Sequence, residues 1–221
     1  MKISMNFILL YRKELKLSFN KKYYLVVLII SLILFSCNEK EKEIPENKVD
    51  LNSPGAVLKE AKKVIGNDVQ ITVTGHFNQD TTKEFAAGTE INKPDVWGIR
   101  FYLLKKDGSG LSVVDSTGLL EGSFTDALVR KEKLPSSDYD MIYYNSLDYY
   151  LGSGGGEVFA YLVDFSEGQT YYAHLFTEKG SRISLYISDN TTPEGKNYFL
   201  SVFKKDYPAL RIVDKDIDLD D

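Results

Sequence analysis

The chain has few of the residues that most often build disulfide, redox or metal sites. Its 221 residues include one cysteine and two histidines. A single thiol cannot form a disulfide within the chain, so the fold has to be held by its hydrophobic core. His76 and His174 lie far apart in the sequence, and a metal site needs two or more convergent ligands. We therefore expect no metal or other cofactor, and we interpret both histidines as hydrogen-bonded residues of strands.

The sequence also lacks the motifs of common catalytic and nucleotide-binding sites. Serine, histidine and aspartate do not occur in the sequence pattern of a hydrolase catalytic triad. There is also no nucleophile elbow and no zinc-binding motif. The glycine-rich residues 151–156 do not have the spacing of a P-loop or of a dinucleotide fingerprint. We predict a protein that is not an enzyme. Acid pairs such as Asp138 and Asp140, or Glu84 and Glu90, leave a glycosidase-like hydrolase open as an alternative.

Long apolar runs are scarce as well, and the strongest one lies near the N-terminus. Residues 25–35 form an apolar stretch of 11 residues, whereas a membrane-spanning helix needs about 20. Before it stand six basic residues and one acid, the pattern of an export signal. The apolar stretch ends in Leu34, Phe35 and Ser36, followed by Cys37, Asn38 and the charged residues 39–43.

This arrangement resembles the lipobox of bacterial lipoproteins, which has a leucine three places before the cysteine and a small residue just before it. Residues 38–43 are similar to the charged segment that follows the lipidated cysteine in surface-exported lipoproteins of Bacteroidota. The resemblance implies that residues 1–36 are a signal peptide and that Cys37 carries the lipid. It also implies a membrane partner: the outer membrane, with the protein on the cell surface or on the periplasmic face. Each buried methylene contributes about 0.8 kcal/mol, so several acyl chains give lasting attachment.

The charge balance argues against nucleic acid as a partner. Residues 1–36 contain six of the 27 basic residues and one of the 32 acidic residues. The remainder therefore has a net charge of about −10, whereas phosphate binding needs a cationic face. We expect a glycan or an envelope protein as the partner instead.

Composition and periodicity divide the rest of the chain into three parts. We predict a flexible tether over residues 37–52, a β-rich globular domain over residues 53–213 and an acidic tail over residues 214–221. The domain opens with an amphipathic helix, because Ser53 suits the N-cap, Pro54 the first helical position and Gly66 the end. After that helix, alternating residues predict strands at 69–77, 97–105, 111–115, 157–165, 171–177 and 182–188.

Several short strands separated by tight turns, with little helix, predict a mostly β fold: an antiparallel β-sandwich, immunoglobulin-like or similar, with one N-terminal helix. Residues 165–171 resemble the tyrosine corner of immunoglobulin-like and fibronectin type III sandwiches. The resemblance implies that the Tyr171 hydroxyl binds the backbone of the corner. The stretch 158–165 is apolar on both faces and should therefore lie in the centre of a sheet.

One segment of the domain has the composition of a ligand platform. Residues 138–150 combine tyrosines with aspartates and an asparagine. Flat rings stack on sugars while carboxylates accept their hydroxyls, so we name as candidate ligand-binding residues Tyr143, Tyr144, Tyr149, Tyr150 and Asp148. The alternative is that the tyrosine rings cover the core, where we also place Trp97. The predicted function is a lipid-anchored, non-catalytic binding or assembly module for a glycan or peptide. A protein-binding accessory or immunity-type lipoprotein is a further alternative.

Overall fold

The computed structural model of the chain describes residues 50–80, 82–108, 110–149, 155–178 and 182–216. Within these residues, no helix is both long and apolar enough to cross a membrane. The predicted signal peptide, Cys37 and almost all of the tether lie outside the described residues, as do residues 217–221 of the acidic tail.

The described residues of the domain form two helices and ten strands. Helix α1 spans Pro54–Val64 and helix α2 spans Pro193–Asp206. The strands are β1 Val69–Gly75, β2 Glu84–Lys93, β3 Val96–Asp107, β4 Gly110–Ser116, β5 Leu128–Glu132, β6 Met141–Tyr149, β7 Gly156–Asp164, β8 Gln169–Glu178, β9 Arg182–Ile187 and β10 Arg211–Val213.

The strands form two sheets. The first has the order β1-β2-β3-β4 and is antiparallel throughout. The second has the order β10-β9-β8-β7-β6-β5, and only its β10–β9 pair is parallel. The prediction of a mostly β, antiparallel sandwich with an N-terminal helix is therefore confirmed. Strand β7 lies inside the second sheet, as its two apolar faces predicted.

Helix α1 begins as the sequence predicts. The Ser53 hydroxyl accepts the backbone N–H of Ala56 at 3.2 Å, and Pro54 follows at the first helical position. Val57 and Ala61 are buried and pack on the outer face of the four-stranded sheet, against residues such as Phe85 and Leu104. The helix therefore stabilises this sheet by covering its apolar outer face.

Helix α2 is absent from the sequence-based prediction. Thr192 caps it by accepting the N–H of Gly195 at 3.1 Å, and Pro193 begins it. Its buried Phe199 and Phe203 cover the outer face of the six-stranded sheet. The inner faces of the two sheets share a third apolar cluster, which includes Phe101. Each sheet therefore has one face toward the other sheet and one face toward a helix.

The seven residues that resemble a tyrosine corner form a hairpin turn in this structure. Strands β7 and β8 are neighbours in one sheet, and Asp164 pairs directly with Gln169. The turn is held by Asp164, whose Oδ1 accepts the N–H of Glu167 at 3.0 Å. Tyr171 is buried under helix α2. The segment consequently connects two strands of one sheet, whereas a corner of the sandwich would connect two sheets.

Candidate functional site

Two of the four tyrosines of the predicted platform lie in the core. Tyr143 and Tyr144 are neighbours on β6, and both are fully buried. Tyr143 points toward α2 and lies edge-on to Tyr198, with ring centroids 5.4 Å apart. Tyr144 points between the sheets, and its hydroxyl lies 3.2 Å from the carbonyl oxygen of Ser123. The ligand-binding prediction is wrong for these two residues, because both faces of β6 are covered and leave the rings inaccessible.

The remaining candidate residues have different positions. Tyr149 ends β6, but its side chain lies outside the described part of the structure, as does the whole of Tyr150. Asp148 is exposed near the same end of β6 and lines a concavity described below.

The described part of the chain contains a cavity of about 1070 Å³, which we call the end cavity. Four connections form its walls: residues 76–80 after β1, residues 133–140 before β6, the β7–β8 turn and the start of α2. Its lining is rich in carboxylates: Asp80, Asp138, Asp140, Asp164, Glu167 and Glu194. The sequence-predicted pair Asp138 and Asp140 therefore shares one cavity, whereas Asp148 lies elsewhere.

Most of these carboxylates hold the walls together. Asp140 accepts the backbone N–H of His76 at 3.0 Å and lies 3.4 Å from the ammonium of Lys131. Glu194, in the first turn of α2, accepts the backbone N–H of Ser136 at 3.1 Å. These bonds join residues more than 55 positions apart in the sequence. The cavity is thus formed by loops that are already fixed to one another.

Asp164 is the most buried acid of the cavity, with a relative exposure of 2%. Its Oδ2 accepts the hydroxyl of Tyr139 at 3.1 Å, and its Oδ1 holds the β7–β8 turn through Glu167. Burial raises the pKa of Asp164 above its ordinary value. Burial, followed by the nearby charge of Asp164, also raises the pKa of Tyr139 to about 12.

Two carboxylates of the end cavity are not used in this way. Asp138 and Glu167 are exposed, and within the described residues neither carboxylate has a hydrogen-bond or ion-pair partner. Both are available as acceptors for a ligand. The sequence pattern indicated Asp138 but not Glu167, because the two residues come to line one cavity only through the pairing of β6 with β7.

The loop after β1 is supported by a fully buried carboxylate, Glu84. Its side chain accepts the N–H of Phe77 at 2.9 Å and the amide of Asn78 at 2.5 Å, and it lies 3.1 Å from the ammonium of Lys105. Lys105 also binds Asp80 at 2.6 Å. This bond and one from Thr82 lower the pKa of Asp80 to about 2. Glu84 therefore acts as a structural support, which removes it from the predicted catalytic pairs.

A second concavity, of about 480 Å³, lies between the two sheets at the opposite end of β6; we call it the inter-sheet groove. Trp97 and Glu90 line it from the four-stranded sheet, and Asp148 and Phe159 line it from the six-stranded sheet. Trp97 is 48% exposed, so its predicted place in the core is wrong. It lies just beyond the β2–β3 turn, where the strand extends past the core between the sheets. That turn, Pro94-Asp95, is the sequence signal that indicates such a position.

His174 occupies a buried position on the inner face of β8. Its Nε2 lies 2.9 Å from a carboxylate oxygen of Glu157 and its Nδ1 lies 2.7 Å from one of Asp216. The ring stacks on Phe159, with centroids 4.9 Å apart. The prediction of a hydrogen-bonded strand histidine is confirmed for His174. Its bond to Asp216 also anchors the start of the acidic tail.

His76 lies just after the end of β1, and its Nδ1 is 3.0 Å from the carbonyl oxygen of Thr82. No group of three or more histidine, cysteine, aspartate or glutamate side chains among the described residues is arranged to hold a metal ion.

Comparison of the chain with protein-family models, with curated proteins and with solved structures finds no significant match. The case for a function therefore depends on the geometry of the two concavities.

Proposed function

We propose that the protein is an outer-membrane lipoprotein, anchored through Cys37, whose β-sandwich is a non-catalytic binding module. The observation that carries this proposal is the end cavity, in which most carboxylates are committed to the walls while Asp138 and Glu167 are free to accept. A concave site with fixed walls and a few convergent polar groups is the usual form of a binding site. Fixed walls also lower the entropy cost of binding.

The charge of the end cavity defines the ligand class. Its six carboxylates stand against one lysine, Lys133, and one histidine, His76. Such a lining disfavours phosphates and other anions and favours ligands that donate hydrogen bonds. Hydroxyl-rich glycans and peptides with free amines both fit that description, and the tethered position at the cell envelope would bring either within reach.

Binding can be tested directly with the full chain in detergent. We expect isothermal titration calorimetry against neutral oligosaccharides and lysine-containing peptides to identify one class that binds. The double variant Asp138→Asn, Glu167→Gln should weaken that binding about tenfold or more. Each substitution removes a negative charge and replaces one acceptor oxygen with an NH₂ donor. Asp107→Asn is the matched control, since Asp107 is an exposed acid at the end of β3 and lies outside the cavity. Equal binding by the double variant would refute the assignment of the end cavity.

The lipid anchor has a test of its own. Radiolabelled fatty acid should enter the wild type and not Cys37→Ala. Protease treatment of intact cells then distinguishes the two faces of the outer membrane, because only a surface-exposed domain is removed. Label in neither protein would refute the anchor, without affecting the test of the end cavity.

A hydrolase is the second candidate, and one observation favours it. Asp164 has a raised pKa while Asp80 has a pKa of about 2, and both line the end cavity. Two carboxyl groups with separated pKa values are typical of an acid and base pair. Against it, Asp164 is hydrogen-bonded to Tyr139 and to the turn, and Asp80 is paired with Lys105. Release of reducing ends from oligosaccharides by the wild type, lost in Asp164→Asn, would favour the hydrolase.

A further inference from the structure

We propose that the inter-sheet groove is a separate binding site for an uncharged saccharide ring, with Trp97 as the stacking platform and Asp148 as an acceptor of sugar hydroxyls. This site shares no lining residue with the end cavity. Met141, at the start of β6, lines the end cavity, whereas residues 146–148, near its end, line the groove. The inference therefore does not depend on the function proposed for the end cavity.

Trp97 has the exposure and the fixed position that a stacking platform requires. It is the only tryptophan of the chain, and nearly half of its surface is open to solvent. The backbone beside it is held by Ile99 and Leu120, which exchange two hydrogen bonds of 2.8 Å. Gly98 makes this close approach possible, because a Cβ there would lie 2.4 Å from the carbonyl oxygen of Leu120. A large aromatic face on a fixed backbone suits contact with the apolar face of a sugar.

The groove supplies both kinds of hydrogen-bonding group beside the indole. Within the described residues, the exposed carboxylates of Asp126 and Asp148 have no hydrogen-bond or ion-pair partner. The Thr125 hydroxyl is similarly free, and the Ser123 hydroxyl accepts the N–H of Thr125 at 3.2 Å and can still donate. Sugar hydroxyls both donate and accept, so a lining with acceptors and donors matches them.

The charges of the groove exclude anionic ligands. Glu90, Asp126 and Asp148 line it, and no lysine or arginine does so among the described residues. A phosphorylated or sulfated sugar would meet only negative charge. The ligand is therefore neutral or cationic.

The second aromatic ring of the groove argues for the neutral ligand. An ammonium group is best held between several aromatic faces. Here Phe159 already stacks on His174, whose two ring nitrogens both face carboxylate oxygens. One face of Phe159 is therefore already covered by a ring of the protein, which leaves Trp97 as the single aromatic platform of the groove.

The single tryptophan makes this site measurable on its own. Tryptophan fluorescence of the full chain, in a detergent without a sugar headgroup, reports only on Trp97. We expect titration with neutral oligosaccharides of glucose, mannose, galactose or N-acetylglucosamine to produce a saturable blue shift for at least one of them. Asp148→Asn should weaken that binding about tenfold. The matched control Asp107→Asn and the end-cavity variant Asp138→Asn should leave it unchanged.

Calorimetry with the same sugar completes the test, because it does not need the fluorophore. Trp97→Ala should lose the binding heat while keeping the urea midpoint of the wild type. If Trp97→Ala unfolds, the binding heat of Asp148→Asn tests the site instead. The proposal is overturned if no neutral oligosaccharide shifts the fluorescence, if only the cationic probes tetramethylammonium and trilysine do so, or if Asp148→Asn binds as well as the wild type.

Discussion

Replacing Glu84 with glutamine should destabilise the domain strongly, although the two side chains have nearly the same shape. The Glu84 carboxylate is fully buried, accepts hydrogen bonds from Phe77 and Asn78 and pairs with Lys105. Glutamine keeps one acceptor oxygen, but its NH₂ group then faces either the N–H of Phe77 or both the amide of Asn78 and the ammonium of Lys105, and all three are donors. The charge of the ion pair is lost as well.

The expected loss in the free energy of unfolding follows from the burial of the Glu84 carboxylate. Removing one partner of a buried ion pair costs about 3 to 5 kcal/mol. Lys105 keeps its bond to Asp80 and is 31% exposed on its side chain, so we expect the lower end of that range, about 3 kcal/mol. Urea denaturation at neutral pH measures the change as a fall in the midpoint at constant slope.

Asp107→Asn provides the control for Glu84→Gln. Asp107 is exposed at the end of β3, and a surface change of this kind alters the free energy of unfolding by less than about 0.5 kcal/mol. A loss below about 1 kcal/mol in Glu84→Gln would show that the buried carboxylate contributes little, and would refute the view that it supports the loop after β1.

Three further predictions concern the core, the loop beside the groove and the effect of acid. Phe199→Ala removes a fully buried ring under helix α2 and should lower the free energy of unfolding by about 3 to 5 kcal/mol in urea denaturation. Gly122→Ala should cost about 3 kcal/mol in the same assay, because φ there is +104° and a Cβ would lie 2.4 Å from the hydroxyl oxygen of Tyr144; an unchanged midpoint would contradict this contact. The bond to Lys105 lowers the pKa of Asp80 from 3.8 in the unfolded chain to about 2, so its stabilisation is fully present above about pH 4 and is lost as the pH falls through 2. Acid titration should therefore show a stability difference between wild type and Asp80→Asn that shrinks over this range, and a constant difference would refute it.

The starts of both helices are encoded by residues that are neighbours in the sequence. Ser53 and Pro54 predicted the start of α1, since capping depends only on neighbours along the chain. Thr192 and Pro193 are the same kind of signal, and they start α2 in the same way. The same local rule therefore indicates where both helices begin.

For strand β6, the local sequence pattern does not predict which residues are buried. Its face between the sheets is covered by the four-stranded sheet and its other face by α2, so apolar and aromatic residues occur at successive positions. Alternation marks a strand with one wet face, and it disappears when both faces are buried. The composition of residues 138–150 consequently resembled a ligand platform while Tyr143 and Tyr144 form part of the core.

The sequence by itself determined the mostly β fold, the first helix and the acidic character of the domain, because each follows from composition or from a repeat of two to four residues. Only the tertiary structure decided which acids share a cavity and which aromatic ring is open to solvent. Asp138 and Glu167 line one cavity through the pairing of β6 with β7, and Trp97 and Asp148 line one groove because two sheets pack together. These neighbours are some 30 to 50 positions apart, and their approach depends on strand register and sheet packing, which no short stretch of sequence encodes.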